Sequence, residues 1–252
     1  MHRTKGEAIL LRTRPLGEAD RLVTLLHPGR GLVRLVAKSA RRSKKRFLGS
    51  LESFTRLEVE FLEFPTGELG RLESAAVIAA FPRLRRELAA LAQAAYACEL
   101  AELVGRAGEP NAPLFEWLAL FLHTVDARGP RADHLRVYEL GLLDRSGFGP
   151  PLCACAACGK ALDLGARPAF DTARGGALCP ECSGPASRSV SLGTLRTLEA
   201  SRDAGSQLSP RVGFSRQAIS ESRRLLGDFL DYHLERRPRS KEFLEQVCPE
   251  VC

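Results

Sequence analysis

Apolar and polar positions alternate with a period of two through the first eighty residues, the pattern of strands with one buried face. In "EAILLRTR", Ile9, Leu11 and Thr13 fall on one face and Leu10, Arg12 and Arg14 on the other. The stretch "DRLVTLLHPGRGLVRLVAK" reads as two strands joined by the turn residues His27 to Gly31. Val33, Leu35 and Ala37 then point one way, and Arg34, Val36 and Lys38 the other. Leu57, Val59 and Phe61 alternate with Glu58 and Glu60, and Pro65-Thr66-Gly67 turns the chain into "GRLESAAVIAA". Five such runs predict a small Greek-key barrel of the OB type, with a Tudor- or SH3-like barrel as the alternative.

After Phe81-Pro82 the period lengthens. Leu84, Leu88, Leu91, Ala95 and Cys98 form a helical stripe, and Leu114, Leu118, Phe121 and Val125 form a second. A third helix is expected over 132–145, and two more over about 192–202 and 216–236, with Ser209-Pro210 and Gly213 between them. Residues 151–184 show little periodicity and are rich in Cys, Gly, Pro and Ala. The fold class is therefore α+β and multidomain. An OB-like barrel occupies 1–80, and a mostly helical domain is built from 81–150 and 185–252. A four-cysteine module, 151–184, is inserted between those two segments.

Composition changes this picture in one place. Residues 1–80 hold fifteen Lys or Arg against nine Asp or Glu, six of the chain's net seven positive charges. The surplus is densest in "KSARRSKKRF", where Lys38, Arg41, Arg42, Lys44, Lys45 and Arg46 follow Arg34 without an acid. A solvated loop or a localisation signal has the same composition. Coincidence with a barrel favours phosphate binding: Arg34 and Lys38 leave one strand face, the loop continues from its end, and Arg12 and Arg14 add cations from the first strand. Such a groove neutralises successive phosphates without reading bases. Phe47 and Phe54 flank the loop and are candidates for base stacking or for the core.

The cysteines supply the second signal. Cys155-x-x-Cys158 and Cys179-x-x-Cys182 lie twenty residues apart, and two such turns deliver four thiolates to one tetrahedral zinc. Glycine after the first pair suits the positive φ of such knuckles. Four thiolates leave no open position for water, so the expected zinc is structural. A deaminase would place H-x-E before P-C-x-x-C, yet His233-Leu234-Glu235 follows both pairs. Cys153 is spare and could substitute as a ligand, Cys98 lies on a helix stripe, and Cys248 and Cys252 are expected to be incidental. No P-loop, HExxH, GxSxG or dinucleotide fingerprint is present. No apolar run is long enough to span a bilayer, and no signal peptide is evident. A cytoplasmic binding protein without catalytic residues is expected.

The segments "LGEADRLVTLL", "GRGLVRLVAKSARRSKKRFLGSLESFTRL", "LRVYELGLLDRSGFGPPL" and "YHLERRPRSKEFL" resemble, in order, segments of the bacterial RecO family of DNA repair proteins. The resemblance implies a recombination mediator that binds single- and double-stranded DNA and anneals complementary strands. It also implies action with RecR to help RecA replace the single-strand-binding protein SSB, at the nucleoid. Contact with the acidic C-terminal tail of SSB is implied too, and Arg136, Tyr138 and Leu142 on the third helix are candidates for it. Ser39 stands where the family commonly has Gly. The rival reading is an RNA-binding or ribosome-associated zinc-ribbon protein. A zinc-dependent nucleic-acid hydrolase is a third.

Overall fold

The computed structural model describes residues 2–249 except 44, 48, 65–68, 164, 166, 204–207, 209–212 and 235. Lys44, the expected turns at 65–67 and 209–210, Glu235 and Cys252 thus lie outside the described residues. The chain forms two compact units, residues 1–129 and 130–252. The expected segment boundaries near 80, 150 and 184 follow composition, whereas the compact units part after Gly129.

In the first unit five strands close into a barrel of order β1-β2-β3-β5-β4: β1 (His2–Leu16), β2 (Asp20–His27), β3 (Gly31–Ala37), β4 (Thr55–Glu63) and β5 (Gly70–Ala79). All pairs are antiparallel except β3 with β5, and β1 pairs with β4 to complete the ring. This is OB topology. The period-2 reading of β3 and β4 is met: Val33, Leu35, Ala37, Leu57, Val59 and Phe61 all enter the barrel core.

One face assignment changes. A β-bulge between Leu10 and Arg12 shifts the phase of β1. Leu10 faces inward with Leu25, whereas Arg12 pairs with Thr24 and lies outside, and Thr13 opposes the core residue Val23.

Three helices complete the unit: α1 (Arg83–Arg86), α2 (Leu88–Val104) and α3 (Ala112–Arg128). The single stripe expected from Leu84 to Cys98 is interrupted, because Glu87 is extended (φ −108°, ψ 120°). After that break Leu88 is 58% exposed. Cys98 of the expected stripe is buried, and the buried side of α2 also takes in Ala90, Ala94, Tyr96, Ala97, Leu100 and Ala101. In α3 the expected stripe of Leu114, Leu118, Phe121 and Val125 is fully buried. Asn111 caps that helix, its side chain accepting from Leu114 N at 3.0 Å, and Gly129 ends it with φ 82°.

The loop between α2 and α3 is stitched to the β2–β3 turn. Leu32 N donates to Arg106 O, and Gly108 N to Arg30 O, each at 3.0 Å. Gly31 has φ +63°, and a Cβ there would fall on the carbonyl oxygens of Arg106 and Glu109, so this crossing requires glycine.

The second unit contains α4 (Ala132–Arg145), the short strands β6 (Ala169–Asp171), β7 (Gly176–Leu178) and β8 (Arg188–Ser189), then α5 (Leu192–Asp203), α6 (Arg216–His233) and α7 (Ser240–Val247). The fourth helix is buried from Asp133 to Leu143 and packs on α5 and α6. A sheet of order β7-β6-β8 and a bridge between Ala154 and Ala161 form the cysteine module. Helix α7 had no predicted counterpart in the pattern.

Candidate nucleic-acid interface and metal centre

The β3–β4 connection is a built loop. Phe47 and Leu51 turn back into the barrel core and fasten it there, which excludes Phe47 as a stacking residue. Burial of a side chain that size contributes about 1.5–3 kcal/mol. Arg41 N donates to Ala19 O at 3.0 Å and its guanidinium to Glu18 O at 3.2 Å, joining the loop to the β1–β2 turn. Arg46 donates to Lys38 O at 2.8 Å and lies over the Phe47 ring at 5.0 Å, and Ala75 N of β5 donates to Arg46 O.

Ser39 begins the loop with φ 53°, the left-handed conformation glycine adopts most readily. Its N–H donates to Asp20 Oδ1 at 2.7 Å, while Lys38 Nζ pairs with Asp20 Oδ2 at 2.9 Å. Those two interactions, the backbone bond first, hold the Asp20 carboxyl below its ordinary range.

The expected cations separate into two groups. Arg41, Arg42 and Lys45 are exposed and Arg46 half-buried, and none has a carboxylate partner among the described residues. The outer face of β1–β3 is different. Register places Arg12, Thr24 and Arg34 in one row across three strands, with Arg14, Leu22, Val36 and Arg71 in the next. Arg14 is exposed. Arg12 and Arg34, however, both pair with Glu102 of α2, whose side chain is 5% exposed. Lys38 is likewise shared with Asp20. Free charge is therefore concentrated in the loop.

The four cysteines converge. The Sγ atoms of Cys155, Cys158, Cys179 and Cys182 all lie within 4.8 Å of one another, close enough to hold a metal ion. Burial opposes ionisation of Cys155, but backbone N–H groups of Cys179, Cys158 and Ala157 outweigh it and bring the thiol down to about 6. Cys179 moves the other way: the neighbouring Glu181 carboxylate first, then burial, push its thiol up to about 12 against the lowering effect of the Cys182 N–H. Gly159 takes φ 74° behind the first pair, as the knuckle requires. The second turn closes with Ser183 N on Cys179 O at 3.0 Å and needs no left-handed residue.

Cys153 is exposed and stands outside this set of sulfurs. Cys98 is buried, and burial pushes its thiol far above the ordinary value. Cys248 is buried, 6% exposed at the end of α7, and its N–H donates to Leu244 O.

The family model described as "Recombination protein O N terminal" matches residues 1–81, and "Recombination protein O C terminal" matches 85–242. The chain is 40% identical to the DNA repair protein RecO of Anaeromyxobacter sp. (strain K), over 99% of this chain and 98% of that protein. It is 37% identical to the one from Myxococcus xanthus (98% and 99%) and 34% identical to that of Symbiobacterium thermophilum (96% of each). The chain belongs to the RecO family.

Within this RecO-family chain the remaining candidates fall elsewhere. Arg136, Tyr138 and Leu142 lie on α4 at 3%, 0% and 0% exposure, and Arg136 pairs with Glu139 of its own helix at 3.0 Å. They therefore form no cationic rim on the surface, contrary to the expectation for them. The deciding residue that pattern reading missed is Glu102. It is ninety positions from Arg12, and nothing in the local sequence marks which cations it meets. Among the described residues no helix is long and apolar enough to cross a membrane.

Proposed function

We propose that this chain is a DNA-binding recombination mediator. It engages single- and double-stranded DNA through the β3–β4 loop, anneals complementary strands, and with RecR helps RecA replace SSB on single-stranded DNA. The observation that carries this reading is the segment from Arg41 to Arg46, anchored by Phe47 and presenting cations with no carboxylate opposite among the described residues. Relatives that cover nearly the whole chain are named DNA repair protein RecO.

Annealing by such a surface needs no nucleotide cofactor and no catalytic side chain. Two strands repel through their phosphates. Cations fixed at the barrel lower that repulsion, release condensed counterions, and leave base pairing to drive the step. Arg41, Arg42, Lys45 and Arg46, with Lys44 beside them in sequence, are the proposed phosphate ligands. Arg14 and Lys38 extend the track, whereas Arg12 and Arg34 contribute less because Glu102 already offsets their charge. Contact with the acidic SSB tail belongs to the same proposal, on a surface other than Arg136, Tyr138 and Leu142. The resulting address is cytoplasmic, at the nucleoid.

Cys155, Cys158, Cys179 and Cys182 would hold one Zn2+ as thiolates. Tetrahedral zinc with bonds near 2.3 Å requires sulfurs about 3.8 Å apart. Cys158 and Cys179 are already at 3.8 Å. Bound zinc would supply cross-linking to a module with a small apolar core.

The decisive experiment is an annealing assay across a salt series, with bare and SSB-coated strands. Annealing that accelerates at low salt and persists on coated strands is the expected result. Equal rates with and without the protein at every salt concentration would overturn the reading.

A further inference from the structure

The loop that carries the exposed cations is held at its entry by one side chain. Asp20 opens β2 and stands beside the end of β3, since its neighbour Arg21 pairs with Ala37. Its Oδ1 accepts the Ser39 N–H at 2.7 Å, and its Oδ2 pairs with Lys38 Nζ at 2.9 Å. Among the described residues no other carboxylate pairs with a cation between Lys38 and Arg46.

What that carboxylate fixes is the path of the chain. Ser39 has φ 53°, unfavourable for a residue with a Cβ, and such a conformation persists only where the surroundings over-determine it. Here they do: besides the bond to Asp20, Arg42 N donates to Ser39 O at 3.1 Å and Arg41 N to Ala19 O at 3.0 Å. The turn sends Ala40 against the barrel core and leaves Arg41 and Arg42 exposed. Asp20 reaches a backbone N–H in this turn, so it bears on the course of the whole loop and not on one cation alone.

We propose that Asp20 is a positioning residue for polynucleotide binding. Its Oδ1 sets the turn at Ser39 that presents Arg41 to Arg46 to the phosphates, and its Oδ2 draws on the charge of Lys38, which then offers less than a full phosphate contact. An acid beside a phosphate track repels the ligand. Its benefit is a loop already ordered before the strand arrives. The two oxygens are separable. An amide in place of the carboxylate still accepts the Ser39 N–H but no longer pairs with Lys38, whereas a methyl group does neither. The inference rests on the DNA-binding reading and deepens it.

The test compares the full-length parent with Asp20→Asn and Asp20→Ala. Trypsin cleavage without DNA reports the order of the loop, because Arg41, Arg42 and Lys45 are residues the protease cuts after. A salt series with a labelled oligothymidylate reports binding. Asp20→Asn should be cut at the parent's rate. It should bind about fivefold more tightly at 0.1 M salt, its slope steeper by about 0.7 as Lys38 gains a full contact and the lines meet near 1 M. Asp20→Ala should be cut about tenfold faster within the loop, the scale of one backbone residue left unordered. Its binding line should run parallel to that of Asp20→Asn but about tenfold weaker at every salt concentration, because order is lost and no phosphate contact is. Equal cleavage and equal affinity in the two variants overturn the proposal, since Asp20 would then act through its charge alone. So does faster cleavage in Asp20→Ala without weaker binding. Cleavage spread through the barrel with a lowered melting temperature also overturns it, because that marks a general structural role. Salt-independent binding by all three proteins overturns the DNA-binding reading and the proposal with it; loop-confined cleavage in Asp20→Ala would then place the failure in that reading and not in the turn.

Discussion

Replacing Arg41, Arg42 and Lys45 together with glutamine removes three exposed cations and little else. Arg41 loses one hydrogen bond, to Glu18 O at 3.2 Å. Arg42 and Lys45 make no side-chain hydrogen bond or ion pair among the described residues, and Phe47 keeps the loop anchored in the barrel. Each phosphate contact on a single strand contributes about 0.7 to the slope of log affinity against log salt. Three lost contacts should therefore flatten that slope by about two. With the lines meeting near 1 M salt, the variant should bind about a hundredfold more weakly at 0.1 M but only about fourfold at 0.5 M. Fluorescence anisotropy of a labelled oligothymidylate, titrated with NaCl, measures both slopes. Arg3→Gln with Lys5→Gln is the matched control, because these cations already pair with Glu60 at 3.0 Å and Glu58 at 3.1 Å on the barrel wall. Parallel lines for the loop variant, or equal flattening in the control, would refute the reasoning.

Other predictions follow from the same structure. Glu102→Gln should lower the stability of the first unit by about 1–2 kcal/mol in denaturant titrations, since the abandoned arginines can still reach water. It should also steepen the salt dependence of DNA binding as Arg12 and Arg34 are released. Ser39→Gly should raise stability by about 0.5–1 kcal/mol, the relief of a left-handed residue less the added freedom of the unfolded chain. If the four cysteines hold the proposed zinc, Cys155→Ser should lower the metal content of the purified protein and expose residues 151–184 to limited proteolysis, and a strong chelator should do the same to the parent protein. Burial first, then Arg30, holds His27 below its ordinary pKa near 6.5, so the unfolded chain binds the proton more readily. Stability should consequently fall as pH drops below 6.5, and His27→Gln should flatten that part of the pH–stability curve.

What the chain declares locally, it declares well. Alternation alone places Val33, Leu35 and Ala37 in a barrel core and Arg34 and Lys38 outside it, because a strand's side-chain period is covalent geometry. Helix α3 is legible for a similar reason: the spacing of Leu114, Leu118, Phe121 and Val125 places them on one face, and all four are buried. The four-cysteine cluster is legible because each CxxC turn is four residues long and brings its own two sulfurs together.

Tertiary structure decided the rest. The bulge after Leu10 reverses which face Arg12 takes, and a phase slip of one residue is invisible to a pattern that has apolar residues on both sides of it. The break at Glu87 leaves Leu88 in water, because an extended residue resets the helical phase between Leu84 and α2. Arg136 looks like any helix-surface arginine until α4 is buried around it and Glu139 takes its charge. Whether a cation is available to a phosphate depends on which carboxylate the fold brings within a few ångströms. For Arg12 and Arg34 that carboxylate arrives from a helix formed much later in the chain, whereas for Arg41 to Arg46 none does among the described residues. Periodicity records the direction a side chain leaves its own backbone, and only the folded chain determines what it meets.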